Sequence, residues 1–180
     1  MPRIGVPVIL VLTGLAFTAF SAPAQTQQPA DPLAAIRIFE GHWEGPSSGK
    51  PGSGTTTREY SFVLNGHFLH QHDKSVYQTS DGKTFVHEDE GYFGYDSARK
   101  KIFWMQFHSE GLVNEYVLDS VSADGKSMTL VTAEIENLPG SRAKKVYQVV
   151  SPDMIEETFW LAPPGQDFAL YTTAHLKRVK

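Results

Sequence analysis

The stretch from Thr55 to Tyr77, TTTREYSFVLNGHFLHQHDKSVY, carries the strongest fold signal in the sequence. Polar and apolar residues alternate on both sides of Asn65-Gly66, a dipeptide that favours the tight turn of a β-hairpin. We therefore predict two antiparallel strands, from Thr55 to Leu64 and from Phe68 to Tyr77. The dipeptides Asp81-Gly82 and Asp124-Gly125 give the same turn signal further along the chain.

The segments on either side of this hairpin are also mostly strand-like. Asp31 to Glu40 is predicted as a short amphipathic helix, because Asp31 can cap it and Gly41 ends it. Trp43 lies in a short first strand, and the Gly, Ser and Pro residues of 46–54 predict a loop. Further strand-like segments are predicted over 84–95, 102–108, 113–121, 128–135, 144–150, 155–161 and 168–179.

About ten short strands with short connections predict an all-β fold. Connections this short do not allow crossovers, so neighbouring strands should be antiparallel and arranged up and down. Closing such a sheet removes its exposed edges. We therefore predict a single antiparallel up-and-down barrel with a short N-terminal helix, wide enough to leave an interior space.

The N-terminal segment predicts export. Arg3 precedes the largely apolar run 4–20, and Ala22-Pro23-Ala24 fits a small-x-small cleavage site. We predict a signal peptide over 1–24, a disordered tail over 25–30 and a β-barrel domain over 31–180. The alternative is an uncleaved membrane anchor. Cleavage predicts a periplasmic or secreted protein with no stable membrane insertion.

The composition excludes several classes of function. The chain has 180 residues, 41% hydrophobic residues and a formal net charge of −4, with no basic stripe for nucleic acid. It has no cysteine. This excludes a disulfide framework, a thiolate nucleophile, a Cys-ligated zinc and covalent CxxCH haem attachment.

Four short motifs resemble those of one barrel family. The segments FEGHWEG (39–45) and VLNGHFL (63–69) are similar to the opening strand and first hairpin of nitrobindin-like and fatty-acid-binding-protein-like barrels of the calycin type. Gly94-Tyr95-Asp96 and AHLKR (174–178) resemble a turn and the closing strand of exported bacterial relatives of unassigned function. The resemblance covers roughly residues 33 to 179 and implies a lipocalin-like, ligand-binding barrel.

The resemblance also makes haem a candidate cofactor. Nitrobindins bind haem through a histidine near the start of the last strand, and that position falls on Tyr171 here. His175 lies four residues further along, on the same face of the predicted strand. Tyrosine ligates haem iron in catalase, so Tyr171 and His175 are the candidate iron ligands. The family's histidine is missing at position 171, which leaves haem as one candidate ligand among several.

Aromatic residues supply further candidate ligand contacts. Trp43, which stands between two glycines, is predicted to lie in the barrel core and to touch the ligand. Phe93 belongs to an aromatic run in the fourth strand. Phe103, Met105 and Phe107 form an apolar stripe that suits either the lumen or an outer core.

Histidines and carboxylates supply candidate chemistry. His70 and His72 share one strand face, a spacing that can hold a metal if His87 or Glu88 provides a third ligand. Glu88 and Glu90 also share a face, and paired carboxylates can act as acid and base. For both pairs, solvated polar residues are the simpler interpretation.

Three hypotheses for function follow. The first is an exported barrel that binds an apolar small molecule, fatty-acid-like or haem-like. The second is a haem-dependent isomerase or peroxidase-like enzyme, and the third is a structural barrel with a filled lumen. The predicted ligand contacts are Trp43, His70, Phe93, Phe107, Tyr171 and His175.

Overall fold

The fold is a closed barrel of ten antiparallel strands, seen in a computed structural model that describes residues 31–180. Each strand pairs with its sequence neighbours, and the first pairs with the last. The barrel predicted from the sequence is therefore confirmed. The strands are β1 (Gly41–Gly49), β2 (Gly52–Val63), β3 (Phe68–Gln78), β4 (Thr84–Asp96), β5 (Lys101–His108), β6 (Val113–Val121), β7 (Ser127–Glu136), β8 (Arg142–Ser151), β9 (Met154–Ala162) and β10 (Ala169–Val179).

The hairpin turns lie where the sequence predicts them. Asn65 and Gly66 have φ values of 60° and 79°, which is the left-handed region that this turn requires. Gly82 and Gly125 also have positive φ, at 78° and 71°. In the hairpin of β2 and β3, Phe62 pairs with Leu69 and Arg58 pairs with Asp73.

A short helix closes one end of the barrel. Instead of the amphipathic helix predicted over 31–40, the structure has a 3₁₀ helix at Ala34–Phe39, preceded by a turn in which Asp31 accepts a hydrogen bond from the Leu33 amide. Phe39 is buried and stacks on Tyr60, with ring centroids 5.4 Å apart. We call the segment from Leu33 to Phe39 the plug.

The predicted loop over 46–54 is wrong. The first strand continues to Gly49 and the second begins at Gly52, so that Lys50 and Pro51 form the turn. A Cβ on Gly45 would lie 1.8 Å from the carbonyl oxygen of His175. Glycine therefore allows this part of β1 to approach β10 closely, and the small residues of the segment reflect close strand packing.

Burial alternates along the strands and defines the inner face. On β3 the buried side chains are Leu69, Gln71, Asp73, Ser75 and Tyr77, and the residues between them are more exposed. The inner face of β3 thus begins apolar beside the plug and becomes polar further along. We call the end of the barrel opposite the plug the mouth.

The apolar core lies at the plugged end of the barrel. It includes Leu33, Ile36 and Phe39 of the plug, together with Trp43 of β1 and Leu176 of β10. Trp43 pairs with Arg178 near the end of the last strand, so the start of β1 and the end of β10 both lie beside the plug. The mouth half of the lumen is left with a more polar lining.

The plug is held to the wall by polar contacts as well as by packing. Trp43 donates a hydrogen bond from Nε1 to the carbonyl oxygen of Phe39 at 2.6 Å. Arg178 donates to the carbonyl oxygen of Ile38 at 2.9 Å and to that of Glu40, and its guanidinium lies 4.1 Å from the centroid of the Trp43 ring. The chain therefore enters the barrel in a fixed position.

Part of the sequence lies outside the described residues. This applies to the predicted signal peptide over 1–24 and to the predicted tail over 25–30. Within 31–180, no helix has the length and apolar character needed to cross a bilayer.

Candidate functional site

A cavity of about 230 Å³ occupies the mouth half of the lumen. Its wall is largely aromatic and aliphatic, and its floor is polar. The apolar lining comes from Tyr77, Phe85, Leu112, Ile135, Leu138, Phe159, Leu161 and Tyr171. The polar lining comes from Arg58, Asp73, Ser75, His87, Asp89, His108, Glu110, Asn114, Lys145, Glu157 and Thr172.

A buried ion network forms one side of the floor. Arg58 on β2 pairs with Asp73 on β3 and, across the lumen, with Glu157 on β9, where Nη2 and Oε1 are 3.3 Å apart. Lys145 on β8 places its ammonium 3.5 Å from the same carboxylate oxygen. Burial alone would raise the pKa of Glu157, but the charges of Lys145 and Arg58 outweigh it and lower that pKa to about 2. The carboxyl group is therefore ionised at neutral pH.

A second cluster, His87, Asp89 and His108, forms the other side of the floor. Asp89 and His108 are cross-strand neighbours on β4 and β5, and His87 lies two residues before Asp89 on the same face. Asp89 Oδ1 is 2.7 Å from His108 Nδ1 and 3.1 Å from His87 Nε2. One donor atom from each residue lies within 4.8 Å of the others, so the cluster can hold a metal ion.

Neighbouring side chains fix the orientation of this cluster. Gln106 donates a hydrogen bond to Asp89 Oδ2 at 2.7 Å, and His87 Nδ1 lies 2.9 Å from Glu110 Oε1. Burial alone would raise the pKa of Asp89, but its contacts with His108 and His87 lower it. Burial alone would lower the pKa of His87, but Asp89 and Glu110 raise it.

Three of the residues predicted to contact a ligand lie on the outer face. His70 pairs with Glu90, Phe107 is 45% exposed, and the side chain of His175 is 58% exposed beside Glu156. The expectation that they face the lumen is therefore wrong. His70 lies on a strand that is polar on both faces, so alternation does not mark its inner side. His175 does not share the face of Tyr171 because the pairing of β10 with β9 shifts register between Leu170 and Thr172.

The other three predicted contacts lie inside the barrel. Trp43 and Phe93 belong to the apolar cluster at the plugged end, where Phe93 stacks on Trp104 with centroids 4.7 Å apart. Tyr171 lines the cavity near the mouth and packs edge-on against Phe159. Of the six predicted contacts, all within the described residues, only Tyr171 reaches the cavity wall.

The paired histidines and carboxylates of the sequence analysis also lie on the outer face. His72 Nε2 is 2.9 Å from Glu88, and His70 Nε2 is 2.5 Å from Glu90, so the structure brings each histidine to a carboxylate. Of the two third ligands suggested for a metal site at His70 and His72, Glu88 contacts His72 on the outer face, whereas His87 lines the cavity.

The haem site implied by the resemblance, with Tyr171 and His175 as iron ligands, does not form in the structure. Of the two iron ligands that the resemblance suggests, His175 lies outside the lumen and only Tyr171 lies beside the cavity. Ligand pockets for drug-sized molecules measure about 300–1,000 Å³. The cavity of about 230 Å³ is smaller than that range.

Apart from His87, the residues that form the cavity floor carry little signal in the sequence. No sequence motif contains Arg58, Asp73 or His108. Asp89 lies between Glu88 and Glu90, the pair that the sequence suggests for acid–base chemistry. One signal is nevertheless present on β3. Every second residue after the buried Leu69 faces inward, although the next inward positions are polar. Following that period from Leu69 assigns the inner face.

The comparisons with known proteins support the fold. No family model and no curated protein matches the chain. The crystal structure of Rv2717c from M. tuberculosis matches with a TM-score of 0.66 at 20% identity, covering 84% of this chain and 99% of that chain. The chain shares that β-barrel fold. A de novo designed fluorescence-activating β-barrel matches at a TM-score of 0.39 and 18% identity, covering 81% of this chain and 97% of the designed one.

The similarity to Rv2717c is a similarity of fold alone, because 20% identity is low. The narrower resemblance to nitrobindin-like barrels stays a prediction.

Proposed function

We propose that this chain is an exported binding protein that holds a small molecule with an apolar body and a polar group in the mouth half of the lumen. The observation that carries the proposal is the cavity itself, with its apolar wall and polar floor. Ligand pockets commonly combine an apolar lining with a few placed polar groups.

The floor contains polar atoms that the protein leaves without partners. Arg58 Nε, Asn114 Oδ1, His108 Nε2 and Glu157 Oε2 are buried and have no hydrogen-bond partner among the described residues. Such atoms are costly in a folded protein unless water, an ion or a ligand satisfies them. A ligand with hydrogen-bonding groups would satisfy some of them on entering the cavity.

The charges of the floor narrow the chemistry of the ligand. Arg58 and Lys145 face three buried carboxylates, Asp73, Asp89 and Glu157. The partly exposed Glu110 also lines the cavity, so two negative charges are in excess when the histidines are neutral and one when His87 is protonated. A neutral or cationic polar group suits this floor better than the carboxylate of a fatty acid or the propionates of haem.

The test compares two leucine variants with the neutral fluorescent amine 1-aminoanthracene as a probe. Leu161 lines the cavity, whereas Leu170 is 48% exposed. Leu161→Trp should weaken probe binding by at least about tenfold, because the larger side chain fills the cavity. Leu170→Trp should bind like the wild type. Native mass spectrometry of the purified protein then identifies any retained ligand.

Two results would overturn the proposal. One is equal probe binding by Leu161→Trp and Leu170→Trp with both variants folded. The other is a strong Soret band in the protein as purified, because haem would then be the ligand.

A further inference from the structure

We propose that His87, Asp89 and His108 bind a divalent transition-metal ion, such as Zn²⁺ or Fe²⁺, at the floor of the cavity. The three side chains come from the neighbouring strands β4 and β5, whose backbone pairing sets their separation. The metal site does not depend on the identity of the small molecule.

The spacing of the donor atoms suits one ion. Bonds of about 2.0–2.1 Å from nitrogen and oxygen place neighbouring donors roughly 3 Å apart around a metal. Asp89 Oδ1 lies 2.7 Å from His108 Nδ1 and 3.1 Å from His87 Nε2. All three donor atoms lie within 4.8 Å of one another, so binding requires only small side-chain movements.

One carboxylate oxygen of Asp89 has close nitrogen neighbours but no hydrogen bond of regular geometry. Asp89 Oδ2 lies within hydrogen-bond distance of Gln106 and His87, at 2.7 Å and 3.1 Å. Oδ1 is buried and, despite its short contacts, has no partner with hydrogen-bond geometry among the described residues. Asp89 is 2% exposed and lines the cavity, so this oxygen is shielded from bulk solvent.

A further carboxylate orients one of the histidines. Glu110 Oε1 lies 2.9 Å from His87 Nδ1, which is the ring nitrogen that does not face Asp89. Metal-binding histidines commonly donate their second ring N–H to a carboxylate in this way. That contact favours the tautomer that leaves Nε2 free to bind a metal.

The donor set selects the class of metal. Two imidazoles and one carboxylate suit Zn²⁺, Fe²⁺ and related ions, whereas Mg²⁺ and Ca²⁺ prefer oxygen donors alone. Three protein ligands also leave coordination positions open. All three residues line the cavity, so an open position is accessible to its contents.

The experiment uses purified protein without a polyhistidine tag and with Co²⁺ and Zn²⁺ as probes. Co²⁺ binding is followed by its visible absorption band, and Zn²⁺ binding by calorimetry. We expect one equivalent of metal, and His87→Ala should weaken its binding by at least about tenfold. His72→Ala is the matched control, because His72 pairs with a carboxylate on the outer face.

Glu110→Ala provides a second variant in case His87→Ala does not fold. The Glu110 side chain is 38% exposed, and its removal should leave the fold intact while weakening metal binding about tenfold. The proposal is overturned if the wild type binds neither metal, if folded His87→Ala or Glu110→Ala binds like the wild type, or if His72→Ala loses binding to the same extent. None of these results would change binding of 1-aminoanthracene to the wild type, Leu161→Trp or Leu170→Trp, so failure of the metal site is distinguishable from failure of the proposed function.

Discussion

Replacing Glu157 with glutamine tests the buried ion network most directly. Glutamine has nearly the same shape but no charge, so the substitution leaves Arg58 and Lys145 without their shared carboxylate. Both cations are buried: the side chains of Arg58 and Lys145 are 5% and 7% exposed. We expect a large loss of stability because neither cation can turn to bulk solvent.

The distances give the size of the effect. At an effective dielectric constant of about 20, unit charges at 3.3 Å and 3.5 Å attract each other by roughly 5 kcal/mol each. Removing the charge of Glu157 also removes its desolvation penalty of several kcal/mol. We therefore expect the free energy of unfolding to fall by about 3–5 kcal/mol, the range typical when one partner of a buried ion pair is removed.

The effect should depend on pH. The pKa of Glu157 is lowered to about 2 in the folded protein, whereas a glutamate in the unfolded chain titrates near about 4.3. A lowered folded-state pKa contributes stability that is fully present above the unfolded-state value and lost as the pH falls through the folded-state value. The difference between wild type and variant should therefore be largest at neutral pH and shrink as the pH falls below about 4.

Urea denaturation at neutral and acidic pH measures both quantities. Glu156→Gln is the matched control, because this neighbouring side chain lies on the outer face and is 49% exposed. The substitution should change the free energy of unfolding by less than about 0.5 kcal/mol. Equal stability of Glu157→Gln and Glu156→Gln at neutral pH would refute the reasoning.

Two further substitutions test the plug and the contact between β1 and β10. Phe39→Ala should lower the free energy of unfolding by about 3–5 kcal/mol in urea denaturation, because the Phe39 ring is buried and its centroid lies 4.7 Å from that of Tyr147. A change below about 1 kcal/mol would contradict the packing role of the plug. Gly45→Ala should lower the free energy of unfolding by about 1–3 kcal/mol or more, because its Cβ would meet the carbonyl oxygen of His175. The control Ser48→Ala, at an exposed position of the same strand, should be nearly neutral. Equal denaturation midpoints of the two variants would contradict the close approach of β1 to β10.

Much of the fold can be predicted because turn chemistry is local. Asn65-Gly66 and Asp124-Gly125 favour positive φ, and that preference is visible in the residues themselves. The closure of β1 on β10 follows from strand number and edge pairing. The strand over 46–49 cannot be predicted in the same way, because its small residues reflect contacts with a distant strand.

The candidate site is harder to predict because both faces of the key strands are polar. On β3, Gln71 and Asp73 face inward while His70 and His72 face outward, so hydrophobic alternation does not separate the faces. The pairing of Asp89 with His108 depends on the register of β4 on β5, which no local motif encodes.

The position of the two ends of the barrel domain has a practical consequence. The chain enters through the plug, and β10 ends beside the start of β1, so both attachment points are opposite the mouth. A tether, a fusion partner or a sensor surface joined at either end of the domain would leave the entrance facing outward. The same molecule can therefore be immobilised from either end without obstructing the route into its lumen.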